Sequence, residues 1–142
     1  MVDFQDNLGR YLSVAARHLA ACMARRMEEL GIGAGQYPYL FSLYSADGLT
    51  QQQLSDRLRV DKSATVGAIN RLEALGYVER RSDPKDRRSH CIYLTDRGRE
   101  IRPRLEAIAA EVLGIATGGL SAEEQAVLLG ALKRVAANLT QA

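Results

Sequence analysis

Residues 50–95 constrain the fold most, because the hydrophobic period changes inside this one short stretch. Thr50-Gln51-Gln52-Gln53 carries a capping box, with Thr50 as N-cap and Gln53 three residues later. Leu54 and Leu58 follow at helical spacing. Val60 leads into Asp61, a favourable N-cap, and the pattern predicts a second helix through Leu75 that Gly76 stops. Helices over 50–58 and 61–75, separated by so tight a turn, have helix-turn-helix spacing. Alternation then replaces the helical period. Residues 77–81 and 91–95 are short strand-like runs, and the polar residues 82–90 between them form turns. Two strands joined by a charged loop after a helix-turn-helix make a winged helix.

The flanks are helical. Leu8, Leu12, Ala15, Leu19, Cys22, Met23, Met27 and Leu30 predict one long amphipathic helix over 6–30, ended by Gly31, Gly33 and Gly35. Residues 36–46 read as a buried, aromatic-rich helix stopped by Asp47-Gly48. Thr95-Asp96 caps a long helix in which Ile101, Leu105, Ile108, Val112 and Ile115 keep the coiled-coil spacing that favours helix-on-helix packing. Pro103 removes a backbone hydrogen bond within it and predicts a kink. Gly118-Gly119 breaks the chain. Ser121 with Glu124 is a second capping box, opening a last helix with Leu128, Leu132, Val135 and Leu139. The expected fold is mainly α with a small β-hairpin wing. It is one domain over 1–142, with a winged-helix part at 36–98 and dimerisation helices at 1–35 and 99–142.

Charge is uneven. Between Arg57 and Arg104 thirteen Lys and Arg stand against seven Asp and Glu, a local net charge of +6, while the rest of the chain carries six against ten. A basic centre between acidic ends suits a centre that faces a polyanion, although a solvated charged surface looks the same by count. No run of about 18 apolar residues is long enough to span a membrane. Asp3 and Asp6 stand where a signal peptide needs basic and then apolar residues, so the chain is expected to be cytoplasmic. Cys22 and Cys91 lie far apart, which argues against a disulfide scaffold, and no Cys-x-x-Cys pair is present. No nucleophile–base set, phosphate loop or His-Glu-x-x-His motif points to an enzyme, and no cofactor is implied.

On the helix over 61–75, Thr65, Ala68, Ile69, Leu72 and Leu75 face inward. Lys62, Ser63, Val66, Gly67, Asn70 and Arg71 then face outward. Short, polar and basic side chains near a helix N-terminus suit the DNA major groove. Lys62 and Arg71 neutralise phosphate or donate to guanine, Ser63 and Asn70 donate or accept, and Val66 touches a thymine methyl group. Thr50 and Gln51, at the start of the preceding helix, complete this set. Arg87 and Arg88 at the hairpin tip suit a minor groove, whose negative potential attracts arginine. Asp86 is positioned to hold the Arg88 guanidinium in a salt bridge. A bare surface hairpin, or a winged helix used only for protein interaction, needs no such arginine pair.

These residues resemble the MarR family of bacterial transcriptional regulators. The resemblance rests on Leu49-Thr50-Gln51-Gln52-Gln53-Leu54-Ser55, Val60-Asp61-Lys62-Ser63 and Arg71-Leu72-Glu73-Ala74-Leu75-Gly76-Tyr77-Val78. It continues through Asp83-Pro84-Lys85-Asp86-Arg87-Arg88-Ser89 and Leu94-Thr95-Asp96-Arg97-Gly98. It implies an obligate homodimer with interlocking first and last helices, palindromic double-stranded DNA sites, and Arg88 as the minor-groove wing arginine with Asp86 as its partner. It also implies a repressor released by a small lipophilic or phenolic ligand, or by oxidation. Ala64, Val66 and Gly67 depart from the Thr, Ser or Arg common along the family's outer helix face, which shifts base reading toward the wing and DNA shape.

By the same resemblance an effector lies between the dimer helices and the winged helix, with His18, Met23, Tyr37, Tyr39 and Tyr44 as candidates. Aromatic walls with few polar groups suit an amphipathic ligand; the same residues also fit a plain core. His18 and Cys22, at i and i+4, share a helix face. They offer half a metal site or a redox-active thiol, but no second cluster supplies further ligands. The family's peroxide-sensing cysteine aligns near Gly9, so Cys22 does not inherit that role. Cys91 reads as buried packing.

Overall fold

The computed structural model describes residues 1–142. Helix α1 (Leu8–Arg26) starts where the Asn7 side chain accepts from the Arg10 amide. It is shorter than the expected 6–30. Met27 is fully buried and turns the chain inward, residues Glu28–Leu30 tighten into a 3-10 turn, and Gly31 reverses direction at φ 75°. That conformation costs a glycine little.

Next come α2 (Tyr37–Ser45), β1 (Leu49–Thr50), α3 (Gln51–Leu58) and α4 (Lys62–Ala74). The expected capping box is present at α3. The Gln53 amide donates to Thr50 Oγ1 at 3.1 Å, and the Thr50 amide donates to Gln53 Oε1 at 2.9 Å. At α4, Asp61 Oδ1 accepts from the Ala64 amide at 2.8 Å. Strands β2 (Val78–Ser82) and β3 (His90–Leu94) pair antiparallel with Arg80 opposite Ile92. Against the expected 77–81 and 91–95, the first strand sits one residue later and the second one residue earlier at both ends. Two-residue β1 adds to the far side of β3, giving the order β1-β3-β2. The alternation pattern did not reveal β1, because it is too short to show a period.

The expected kinked helix is two helices, α5 (Asp96–Glu100) and α6 (Arg102–Ala116), parted at Ile101. Pro103 lies in the first turn of α6, where its missing N–H leaves no bond unmade, so the chain restarts a helix instead of bending one. The last helix, α7 (Ala122–Thr140), carries the second capping box at Ser121 and Glu124.

The core joins Leu40 and Leu43 of α2, Leu54 of α3, Ile69 and Leu72 of α4, and Ile92 of β3. Met23 and Met27 reach it from the α1 end, and Leu105, Ile108 and Val112 from α6. Three buried hydroxyls lock the helix-turn-helix internally. Thr65 Oγ1 lies 2.7 Å from Ser55 Oγ and 3.2 Å from the Tyr39 hydroxyl, tying α4 to α3 and α2. No buried side-chain polar atom is left without a partner. This mainly α winged fold places α4 and the β2–β3 hairpin at the surface, while α7 buries none of its side chains.

Candidate nucleic-acid interface

Helix α4 turns Thr65, Ala68, Ile69 and Leu72 into the core. It leaves Lys62, Ser63, Ala64, Gly67, Asn70 and Arg71 exposed and Val66 half-buried. Its N-terminus is well held. The Asp61 carboxyl accepts from the Ala64 backbone and from Ser63 Oγ at 2.9 Å, and these bonds hold its pKa below the usual value. Ser63 therefore spends its proton on Asp61 and presents lone pairs outward. Thr50 and Gln51 are half-buried at the start of α3, and the Thr50 hydroxyl is engaged in the capping box.

The wing loop is shaped by two aspartates. Asp83 Oδ1 accepts from the Lys85 amide at 2.9 Å, and Asp86 Oδ1 accepts from the Arg88 amide at 3.0 Å. The expected salt bridge from Asp86 to the Arg88 guanidinium is absent. The carboxylate instead closes an Asx turn onto the backbone N–H two residues on, a partner that demands no ordering of a long side chain. Lys85, Arg87 and Arg88 are all exposed. Six ion pairs exist in the protein, and none involves Lys62, Arg71, Lys85, Arg87 or Arg88. Five basic side chains thus carry uncompensated charge across α4 and the wing.

A family model described as MarR family matches residues 30–89, from the end of the 3-10 turn through the wing loop. The multiple antibiotic resistance protein MarR of Escherichia coli (strain K12) is 30% identical over 129 residues, covering 90% of each chain. The chain belongs to the MarR family. Among solved structures, a MarR transcriptional regulator from Methanosarcina mazei Go1 has a TM-score of 0.86 at 34% identity, covering 94% of this chain and 96% of that one. A MarR-family regulator from Listeria monocytogenes, crystallised in complex with a 26mer DNA, has a TM-score of 0.89 at 25% identity, covering 96% of this chain and 91% of that one.

In this MarR-family chain the five candidate effector residues do not form one cavity. Met23 is buried in the core, and the hydroxyl of buried Tyr39 is engaged with Thr65. The Tyr44 hydroxyl donates to the Gly98 carbonyl at 2.7 Å, and burial pushes its pKa up to about 12. Tyr37 is raised by burial too and stands edge-on to Phe41. Tyr39 lines one groove, with Pro38, Leu58, Val60 and Gly67, and His18 lines a separate one. It lies between α1 and α6 with Ala15, Leu19, Cys22, Val112 and Ile115, in a volume of about 280 Å³. Arg25 Nη2 lies 3.3 Å from Cys22 Sγ, and no group of three or more His, Cys, Asp or Glu side chains comes together. Burial, and then the charge of Asp83, raise the pKa of Cys91. That thiol stays protonated at neutral pH, as a packing residue would.

One contact at this surface escaped the sequence reading. Arg80 of β2 reaches back to α4, donating to Asn70 Oδ1 at 2.5 Å and to Glu73 Oε1 at 2.7 Å. Ten residues separate Arg80 from Asn70, and no local spacing rule connects a strand residue with a helix residue that far apart.

Proposed function

We propose that this protein is a transcriptional repressor that binds palindromic double-stranded DNA as a homodimer and releases it when a small lipophilic or phenolic effector binds. Five unpaired basic side chains on α4 and the wing carry the reading. Uncompensated charge on a protruding helix and hairpin is what phosphate neutralisation and minor-groove insertion need. The Listeria relative in complex with DNA supports the same partner. The regulator then acts in the cytoplasm, where bacterial DNA lies. Lys62, Arg71 and the wing residues hold phosphate or guanine, Ser63 and Asn70 read base edges, Val66 meets a methyl group, and Thr50 and Gln51 flank the backbone.

The second copy is supported by α7. Val127, Leu128, Leu129, Leu132 and Leu139 are exposed along it, as are Leu113 and Ile115 on α6 and Leu8, Tyr11 and Leu19 on α1. So much exposed apolar surface marks an association face. The effector is assigned to the α1–α6 groove beside His18. A ligand there moves the dimer helices against one another, and with them the spacing of the two α4 helices.

Light scattering tests this reading, run with and without a duplex of about 30 base pairs, long enough for two half-sites one helical turn apart. The expected species are a dimer alone and two chains per duplex. The combined substitutions Leu128→Asp and Leu132→Asp are expected to give a folded monomer, because neither side chain is buried within one chain. A wild-type monomer, or one chain per duplex, would contradict the reading.

A further inference from the structure

The contact between Arg80 and Asn70 has a consequence for which base α4 accepts. An arginine only donates hydrogen bonds, so the atom of Asn70 that meets Arg80 Nη2 at 2.5 Å has to be its amide oxygen. Arg80 is itself fixed from two sides. Its Nη1 lies 2.7 Å from Glu73 Oε1, and its backbone amide donates to Glu73 Oε2 at 3.2 Å. The Arg80 side chain is 20% exposed, and the Glu73 carboxylate balances its charge. Arg80 thus has its charge balanced within the chain and braces the strand leading to the wing against the outer face of α4.

A free asparagine reads adenine in a bidentate way, accepting from N6 and donating to N7. Here Arg80 draws the amide oxygen back onto the protein, and the part of Asn70 that makes no bond within the chain is its amide nitrogen with two N–H groups. Such a pair of donors matches guanine, whose N7 and O6 both accept. Against adenine it sets donor against donor at N6.

We propose that Arg80, without touching DNA, is a specificity-determining positioning residue: it fixes Asn70 as a donor-only reader that selects guanine over adenine at one base pair of each half-site. This deepens the proposed DNA reading by α4 and rests on it.

The test is in vitro selection from a pool of random duplexes by the wild-type protein and by the variants Asn70→Ala, Arg80→Met and Asn70→Asp. Circular dichroism reports on folding. Wild type is expected to enrich a motif with guanine at one position per half-site, and Asn70→Ala to lose the preference there alone. Arg80→Met frees the amide to rotate. It is expected to admit adenine at that same position, lowering guanine-over-adenine discrimination about tenfold and leaving the other positions as they were. Asn70→Ala combined with Arg80→Met, selected beside the single variants, is expected to match Asn70→Ala alone.

A merely structural role for Arg80 would weaken all positions together. That result, or an Arg80→Met motif identical to wild type, would overturn the proposal and leave the regulator reading standing. Should Arg80→Met fail to fold, Asn70→Asp decides. It keeps the pairing with Arg80 but removes both donors, so guanine is expected to be lost from that position, and its retention would overturn the proposal. A wild-type protein that enriches no sequence overturns both readings.

Discussion

Replacing Arg87 and Arg88 together with alanine is expected to reduce operator affinity by roughly a thousandfold and leave the folded dimer intact. The proposed dimer loses four arginines, and even about 1 kcal/mol for each amounts to about 4 kcal/mol. The plot of log affinity against log salt should flatten as well, since each phosphate contact contributes a slope of about 0.9. Thermal unfolding should not move. The wing turn is held by Asp83 and Asp86 accepting backbone amides, and neither guanidinium takes part. DNA titration at several salt concentrations, beside thermal melts, checks both halves. Unchanged affinity would remove the wing from the interface. An equal loss of affinity and of thermal stability would show that the arginines act through folding.

The second large effect is on stability. A Cβ placed on Gly98 would lie 2.1 Å from the Tyr77 carbonyl oxygen and 3.4 Å from Leu94 Cδ2. Neither side of this approach can yield cheaply. The Tyr77 carbonyl accepts from the Thr95 amide at 3.0 Å, and its buried ring sends a hydroxyl to the Leu30 carbonyl at 2.7 Å. On the other side, Gly98 receives the Tyr44 hydroxyl on its carbonyl and gives its amide to Thr95 Oγ1. Gly98→Ala is therefore expected to cost about 3 kcal/mol, at the upper end for overpacking, and to lower the melting temperature by about 10 °C at fixed protein concentration. Gly67→Ala on α4 is the control. Nothing lies within 4 Å of its added Cβ, and alanine is the better helix former, so its melting temperature should hold or rise. Equal melting temperatures for Gly98→Ala and wild type would contradict the close approach.

These two sites also show what could be read from the sequence. Capping boxes at Thr50 and Ser121 occupy four consecutive residues each, so the helix starts were legible directly. The inward stripe of α4 follows from the helical period, and Thr65, Ala68, Ile69 and Leu72 are buried as that period requires. What escaped was set by contacts distant in sequence or by competition among local partners. Strand β1 exists only because β3 lies beside it, with Leu49 opposite Ile92. Asp86 had a guanidinium and a backbone amide within reach, and spacing alone does not rank the two. Tyr39 and Tyr44 offered aromatic walls to a ligand in the sequence, but their hydroxyls are engaged with Thr65 and Gly98. The hold of Arg80 on Asn70 needed strand and helix placed together.

Sequence-specific DNA binding is tested most directly by fluorescence anisotropy on labelled DNA from immediately upstream of this protein's own gene, where a self-controlling regulator binds. A scrambled duplex of equal length is titrated beside it at two salt concentrations. The expected result is tight binding that prefers the upstream DNA and falls steeply as salt rises. Binding to neither duplex at low salt would contradict the DNA-reading role of α4 and the wing, and would leave the winged helix as a protein-interaction module.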